Sequence, residues 1–122
     1  MVEKKLKIMH IAECAGGVDV YLNMLLPLLE KKMYQFFICS KKFDKNKYEG
    51  VVDGIEQIDM QQTFSPISII RNIIKVKHII KTVKPDIIYC HSSFAGGIGR
   101  IAAIGSKAKI IYNPHGWAFN MI

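Results

Sequence analysis

The sequence lacks any long apolar run. No stretch of its 122 residues reaches the roughly 18 uninterrupted apolar residues that a membrane-spanning helix needs. The lysine-rich start is not followed by the apolar core of a secretory signal peptide. These two absences exclude the usual integral-membrane and secreted classes, and we expect a cytoplasmic protein.

Cysteine is scarce as well. The three cysteines, Cys14, Cys39 and Cys90, are odd in number and show no close paired spacing. This pattern excludes a disulfide framework and a zinc finger, so no metal site is predicted. Cys14 and Cys90 fall near the ends of predicted strands, a position that allows a partly exposed thiol. No histidine and acid are placed to support a cysteine nucleophile.

Acidic residues are outnumbered, with ten Asp and Glu against seventeen Lys and Arg, and the formal charge is +7. This balance favours phosphates, nucleic acid or an anionic membrane surface and does not choose among them. Low-complexity linkers and internal repeats are also missing. With half of its residues hydrophobic, the chain is predicted to fold as one domain with its own core.

Short apolar runs alternate with helical patterns along the chain. Strands are predicted over residues 6–12, 35–40, 55–60, 86–90 and 109–113, and helices over 18–32, 66–83 and 94–105, with a short turn of helix over 48–52. Several strands are too apolar to bury only one face. Alternation of this kind is typical of an α/β Rossmann-like fold, a doubly wound parallel sheet with helices on both faces.

The predicted helix over 66–83 is amphipathic. Ser65 as the cap and Pro66 in the first turn give it a favourable start. Its buried stripe is predicted to hold Ile69, Ile73, Val76, Ile80 and Val83, and its basic face Arg71, Lys75, His78 and Lys81. That face is either a solvated surface or a contact for anionic lipid head groups, and both interpretations stay open.

The winding of such a sheet predicts where a ligand binds. Strand four should lie beside strand one, because the chain reverses direction between them, and ligands bind at the carboxyl ends of the strands at that point. Three segments are expected on the rim of this crevice: residues 13–17, 91–95 and 115–119. Candidate functional residues are therefore sought there.

Two glycine-rich segments lie near the predicted crevice. Gly16 and Gly17 let backbone donors approach a phosphate at a helix N-terminus, although a tight turn alone would also explain them. Residues 95–99 invite a dinucleotide interpretation, but they follow strand four and lack the acidic residue expected about 20 positions on. Close helix packing is the better explanation, and Arg100 beside them faces either the crevice or solvent.

Two histidines follow predicted strands. His91 ends strand four and contacts a ligand or orients its neighbours, while Ser92 caps the next helix or binds sugar hydroxyls. His115 lies between Pro114 and Gly116, and a neutral imidazole there can bind a hydroxyl or orient a reacting group. Stacking on Trp117 is the structural alternative. We predict His115 as catalytic and His91, Ser92, Gly116, Gly16, Gly17 and Arg100 as substrate-binding.

Over nearly its whole length the chain resembles the N-terminal domain of family 4 glycosyltransferases of the GT-B fold, especially bacterial enzymes of capsular and exopolysaccharide synthesis. The resemblance is carried by residues 15–18, by the block over 85–103, and by the run Pro-His-Gly-Trp-Ala-Phe over 114–119. It implies transfer of a sugar from a nucleotide diphosphate sugar, with retention at the anomeric carbon and usually no metal or cofactor. By similarity, Gly16 and Gly17 would lie against the donor phosphates and the acceptor, and His115 would contact the donor sugar.

The resemblance also implies a second lobe that binds the donor nucleotide and is not contained in residues 1–122. We therefore expect a single acceptor-side domain that is inactive alone and acts, as part of a longer enzyme, on a glycan or lipid-linked acceptor. The basic residues Arg71, Lys75 and Lys81 would face the inner surface of the membrane, and no nucleic-acid partner is expected. A non-catalytic sugar- or phosphate-binding module of the same fold is the main alternative, and a dehydrogenase-like nucleotide domain is the weaker one.

Overall fold

A computed structural model describes residues 6–13, 17–60 and 65–113 of the chain. In these ranges strands and helices alternate as the sequence predicts. The elements are β1 (Leu6–Ala12), α1 (Gly17–Leu29), β2 (Met33–Cys39), α2 (Lys45–Tyr48), β3 (Gly54–Gln57), α3 (Pro66–Val83), β4 (Ile87–Cys90), α4 (Ser93–Ala102) and β5 (Lys109–Tyr112).

Within the described ranges, five strands form one parallel sheet in the order β3-β2-β1-β4-β5. The central strand is β1, whose His10 lies opposite Phe37 of β2 and Tyr89 of β4. The chain builds outward from β1 to β3 and then crosses back to β4. The predicted Rossmann-like α/β fold is confirmed, and so is the predicted reversal between β1 and β4.

Most boundaries fall within a few residues of those predicted, and α3 has the predicted limits. Ser65 occupies its N-cap position with extended backbone, although the hydroxyl makes no capping hydrogen bond, and Pro66 takes the first turn. The short helix α2 begins earlier than predicted, because Asp44 accepts a hydrogen bond from the backbone N–H of Asn46 and so caps it. Helix α1 ends at Leu29, two residues after Pro27.

The sheet buries an apolar core on each face. Between the sheet and helices α3 and α4 lie mainly aliphatic side chains: Met9, Ile11, Ile38, Val76, Ile80, Ile88, Cys90, Ala95 and Ile98. Beneath α1 the buried apolar residues are Ala12, Val18, Leu22, Leu26, Phe37, Cys39, Phe43 and Tyr48. Alternate residues of the two central strands thus face opposite helix layers, as the pleat of a strand requires.

Two glycines let α4 pack closely on the sheet. A Cβ atom at Gly99 would lie 2.7 Å from the Cys90 sulfur, and one at Gly96 would lie 2.9 Å from the Tyr112 ring. A Cβ at Gly97 would meet nothing within 4 Å. This geometry confirms the packing interpretation of residues 95–99 in preference to the dinucleotide motif.

The described cysteines are internal packing residues. Burial raises the pKa of the Cys39 thiol to about 12 and that of the Cys90 thiol to about 11. The expectation of a partly exposed thiol is wrong for Cys90, because its side chain points into the core against Gly99. Cys14 lies outside the described residues.

Candidate functional site

The residues that follow the central strands lie side by side at the carboxyl edge of the sheet. The backbone N–H of His91 donates to the Ile11 carbonyl at 2.9 Å, and that of Asn113 donates to the Cys90 carbonyl at 2.9 Å. On the other side, Ser40 N–H donates to the Ala12 carbonyl at 3.2 Å. The sheet pairing therefore continues one residue past β2, β4 and β5, and it brings Ser40, His91 and Asn113 to a single edge.

Helix α1 begins at this edge. Gly17 is its first residue and follows β1 after a short connection, so the positive end of the helix dipole and its unpaired N–H groups belong to the rim. Gly16, His115 and Gly116 lie outside the described residues. The predicted phosphate contact and the predicted catalytic histidine stay predictions.

His91 is fully buried at this edge, directly after β4. Its Nε2 lies 3.0 Å from Nδ1 of His10, and its ring stacks on Tyr89 with centroids 4.0 Å apart and planes 10° from parallel. Two neighbouring elements therefore fix the orientation of the imidazole. The predicted direct contact with substrate is untested, whereas the orienting interpretation has a defined set of partners.

His10, in the middle of β1, is a buried histidine that sequence reasoning missed. Its Nε2 lies 3.1 Å from Gln35 Oε1, and the Gln35 amide nitrogen donates to the Leu26 carbonyl at 2.9 Å. Burial lowers the pKa of His10 to about 4, although the hydrogen bond to Gln35 opposes the shift. His10 is therefore neutral near pH 7. The sequence did contain a signal for this pair, since His10 and Gln35 are polar residues inside two apolar strand runs, and buried polar side chains need partners.

Two tyrosines extend this group towards the rim. The Tyr89 hydroxyl lies 3.1 Å from the Tyr21 hydroxyl and accepts a hydrogen bond of 3.1 Å from the Asn113 amide. The bond to Tyr89, reinforced by burial, raises the pKa of Tyr21 to about 12, so Tyr21 is a neutral phenol near pH 7. We refer to His10, Gln35, Tyr89, His91 and Tyr21 as the polar cluster.

Ser92 is the N-cap of α4, and Arg100 lies in its last turn. The Ser92 hydroxyl oxygen accepts a hydrogen bond of 3.1 Å from the Ala95 N–H, which confirms its predicted capping role. Arg100 is exposed in the last turn, and its guanidinium carbon lies 5.3 Å from the centroid of the Tyr112 ring, within the range of a cation–π contact. Substrate binding by either residue is untested.

The basic face of α3 is exposed, with Arg71, Lys75 and Lys81 all open to solvent. Three isoleucines share this side of the helix, namely Ile67, Ile70 and Ile74, and between 56% and 70% of each is exposed. The sequence pattern alone did not reveal this apolar stripe. Over the residues that the structure describes, no helix is both long enough and apolar enough to cross a bilayer.

A cavity of about 550 Å³ lies at the opposite, amino edge of the sheet, where α3 and α4 end. Its lining includes Lys77, Lys81, Lys84, Lys107 and Asp86. We assign the candidate site to the carboxyl edge nevertheless, since parallel sheets present their loops and helix N-termini to ligands there. In the described part of the chain, no three His, Cys, Asp or Glu side chains are grouped to hold a metal ion.

Comparison with known protein families identifies this arrangement. A family model described as Glycosyltransferase Family 4 matches residues 15–121, which is most of the chain. The chain belongs to this family. No curated protein sequence is significantly similar to this glycosyltransferase family 4 chain.

Solved structures with the same fold include glycosyltransferases and epimerases. The lipopolysaccharide outer core galactosyltransferase WaaB aligns with a TM-score of 0.71 at 20% identity, over 90% of this chain and 33% of that one. MurG from Acinetobacter baumannii aligns with a TM-score of 0.69 at 16% identity, over 96% and 39%. The UDP-GlcNAc 2-epimerase from Methanocaldococcus jannaschii aligns with a TM-score of 0.71 at 15% identity, over 88% and 31%.

At these identities the alignments show the fold alone. The family 4 chain spans about a third of the length of these three structures. Its sheet has the architecture of the N-terminal lobe of GT-B proteins, which confirms the predicted fold class.

Proposed function

We propose that the chain is the acceptor-side, N-terminal lobe of a retaining glycosyltransferase that moves a sugar from a nucleotide diphosphate sugar to a glycan or lipid-linked acceptor in cell-surface polysaccharide synthesis. The observation that carries the proposal is the family match over residues 15–121. Among solved structures of the same fold, the name of WaaB describes a galactosyltransferase of the lipopolysaccharide outer core.

The carboxyl edge supports this function by its chemistry. The N-terminus of α1 offers backbone donors and a positive dipole to a phosphate, and Gly16 and Gly17 would permit close approach. His91, Ser92 and Arg100 stand on or beside α4 at the neighbouring strand, and Gly116 would leave room beside His115. In this proposal His115 contacts the reacting sugar, and the other residues position the acceptor. The donor nucleotide is bound mainly by a second lobe.

Sugar transfer by the full-length protein tests the proposal directly. The enzyme is incubated with a panel of nucleotide diphosphate sugars and with lipid-linked or glycan acceptors, and release of the nucleoside diphosphate is measured. We expect acceptor-dependent release, and we expect the new linkage to keep the anomeric configuration of the donor in the NMR spectrum of the product. An inverted linkage would contradict the retaining mechanism, and no transfer with any pair would contradict the function.

Binding to the 122-residue chain alone tests the division of labour between the lobes. Calorimetry with the same nucleotide sugars should show only weak binding, because binding energy from the second lobe is missing, and the chain should show no turnover. Micromolar binding to this chain would contradict the proposed assignment. Such binding, together with an inactive full-length protein, would instead favour a non-catalytic sugar- or phosphate-binding module.

The exposed side of α3 would hold the enzyme at the inner face of the membrane. Each Lys or Arg near an anionic surface contributes about 1 kcal/mol, so Arg71, Lys75 and Lys81 together would contribute about 3 kcal/mol if all three reach it. The isoleucine stripe between them adds apolar surface that can enter the head-group region. Docking of this strength is reversible.

Charge reversal tests the membrane contact. Reversal at Arg71, Lys75 and Lys81 should weaken sedimentation with vesicles that contain phosphatidylglycerol, and added salt should have the same effect because it screens the attraction. The matched control reverses Lys31, Lys32 and Lys41, which are exposed outside α3. Equal losses in the two variants, or no vesicle binding at all, would leave the α3 face a solvated surface.

A further inference from the structure

The polar cluster contains a chain of hydrogen bonds whose direction is fixed at one end. Helix α1 ends at Leu29, so its last carbonyls have no partner within the helix, and the Leu26 carbonyl is one of them. A carbonyl oxygen can only accept. The Gln35 side chain must therefore present its NH₂ group to Leu26, at 2.9 Å, and its oxygen to His10.

The donor and acceptor roles of both histidines follow from this arrangement. Because Gln35 Oε1 is an acceptor, the proton of neutral His10 lies on Nε2, and Nδ1 keeps its lone pair. That lone pair faces Nε2 of His91 at 3.0 Å, so His91 must be the donor in this bond. The residues that form these hydrogen bonds are almost completely buried, between 0% and 1% exposed, so water cannot substitute for any partner.

We infer that Gln35 and His10 are positioning residues that hold neutral His91 in its Nε2–H tautomer, so that Nδ1 is the atom with which His91 accepts hydrogen bonds at the carboxyl edge of the sheet. Any group that meets Nδ1 must then be a donor, and because His91 is fully buried that donor belongs to the protein. The expected effect on sugar transfer rests on the proposed function. The stacked Tyr89 ring and the ring of Tyr21, whose centroid lies 6.0 Å from that of His91, keep the imidazole plane in place.

The first test is ¹⁵N NMR of the imidazole rings in the 122-residue chain, above pH 8, where ordinary histidines are neutral. The chain has only four histidines, so substitution of His78 and His115 assigns the remaining signals. We expect Nε2 protonated and Nδ1 unprotonated in both His10 and His91. A proton on Nδ1 of neutral His91 would overturn the inference. This measurement needs no enzyme activity, so it tests the direction of the hydrogen bonds even if the full-length protein transfers no sugar. Absence of transfer would contradict the proposed function alone.

The second test uses two variants of Gln35 with opposite expectations. Gln35→Met removes the acceptor from His10 at similar size, so the two tautomers of His91 should mix. In its neutral form, which burial favours, Gln35→Glu donates its hydroxyl to the Leu26 carbonyl, keeps an oxygen towards His10 and should retain the Nε2–H tautomer of His91. Retention of a single Nε2–H tautomer in folded Gln35→Met would show that Gln35 does not set the direction and would overturn its role.

The third test measures sugar transfer by the full-length enzyme with the same pair of variants. We expect Gln35→Met to lower kcat/KM by roughly 10-fold, the lower end of what loss of an outer partner costs an oriented histidine in metal sites. Gln35→Glu should restore most of the rate. An equal loss in both variants at unchanged melting temperature would overturn the positioning role, since a packing defect does not distinguish a retained acceptor from a lost one.

Discussion

The two faces of the central sheet are built from alternate residues of the same strands, yet they differ in chemistry. Towards α3 and α4, Met9 and Ile11 of β1 and Ile88 of β4 form a dry aliphatic core. Towards α1, the intervening residues His10 and Tyr89 carry polar groups that are all hydrogen-bonded. Burial of polar groups costs free energy even when they are paired. We call the first the dry face and the second the polar face. Both bury apolar residues that stabilise the domain, and the polar face in addition orients His91 at the carboxyl edge.

The largest expected difference between the faces is in pH dependence. The folded-state pKa of His10 is about 4, below the ordinary value of 6.5. The unfolded chain therefore binds the proton first as the pH falls, and the free energy of unfolding decreases between about pH 6.5 and pH 4. At pH 4 the loss is about 3 kcal/mol, since each pKa unit corresponds to about 1.4 kcal/mol.

Urea denaturation of the wild-type chain and of His10→Gln at pH 7 and pH 4 measures this loss. The comparison removes the contribution of the carboxylates, which titrate in both proteins. The groups that face His10 are His91 and Tyr89 from the β4 side and Gln35 from β2. Equal pH dependence in the two proteins would show that the polar face carries no buried neutral histidine.

A smaller effect is expected from adding a methyl group on the dry face. Gly99→Ala should lower the free energy of unfolding by about 1–3 kcal/mol, because its Cβ would lie 2.7 Å from the Cys90 sulfur. Gly97→Ala in the same helix is the matched control. It should raise stability by up to about 1 kcal/mol, because its Cβ meets nothing within 4 Å and alanine is the better helix former. Similar effects at both positions, measured by chemical denaturation, would contradict the close packing of α4.

The smallest effect is expected from removing one hydroxyl on the polar face. Tyr89→Phe should cost about 1 kcal/mol, because the Tyr21 hydroxyl and the Asn113 amide each lose a partner. A double-mutant cycle with Tyr21→Phe should show positive coupling between the two hydroxyls. Strict additivity in denaturation experiments would mean that the two tyrosines are independent of each other.

The dry face and the sheet order were predictable from the sequence, and the polar face was not. Periodicity and the Ser65–Pro66 start defined α3 to the residue, and the alternation of elements predicted the parallel sheet with its reversal beside β1. A single histidine in an apolar strand forms no periodic pattern from which its partners could be predicted. Its partners come from β2 and β4, and the pairing of His10 with His91 spans 81 residues of sequence.

The same limit applies to the surface of α3. Sequence spacing separated the basic residues from the buried stripe correctly. It did not reveal that Ile67, Ile70 and Ile74 are left exposed, since isoleucines on a helix are usually assigned to the core. Which of several apolar positions is covered depends on where α4 packs. That position depends in turn on Gly96 and Gly99 and on their contacts with distant strands.

The central proposal is that the carboxyl edge of this sheet is the reaction site of a glycosyltransferase. It is tested most directly by the rate of sugar transfer by the full-length enzyme with His115→Ala, beside Lys107→Ala, a substitution of an exposed residue at the opposite edge. We predict that His115→Ala lowers the rate by roughly 100-fold or more without changing the melting temperature, as expected for loss of an acid–base or transition-state contact. Lys107→Ala should leave the rate unchanged. Equal, small effects of the two substitutions would contradict the account.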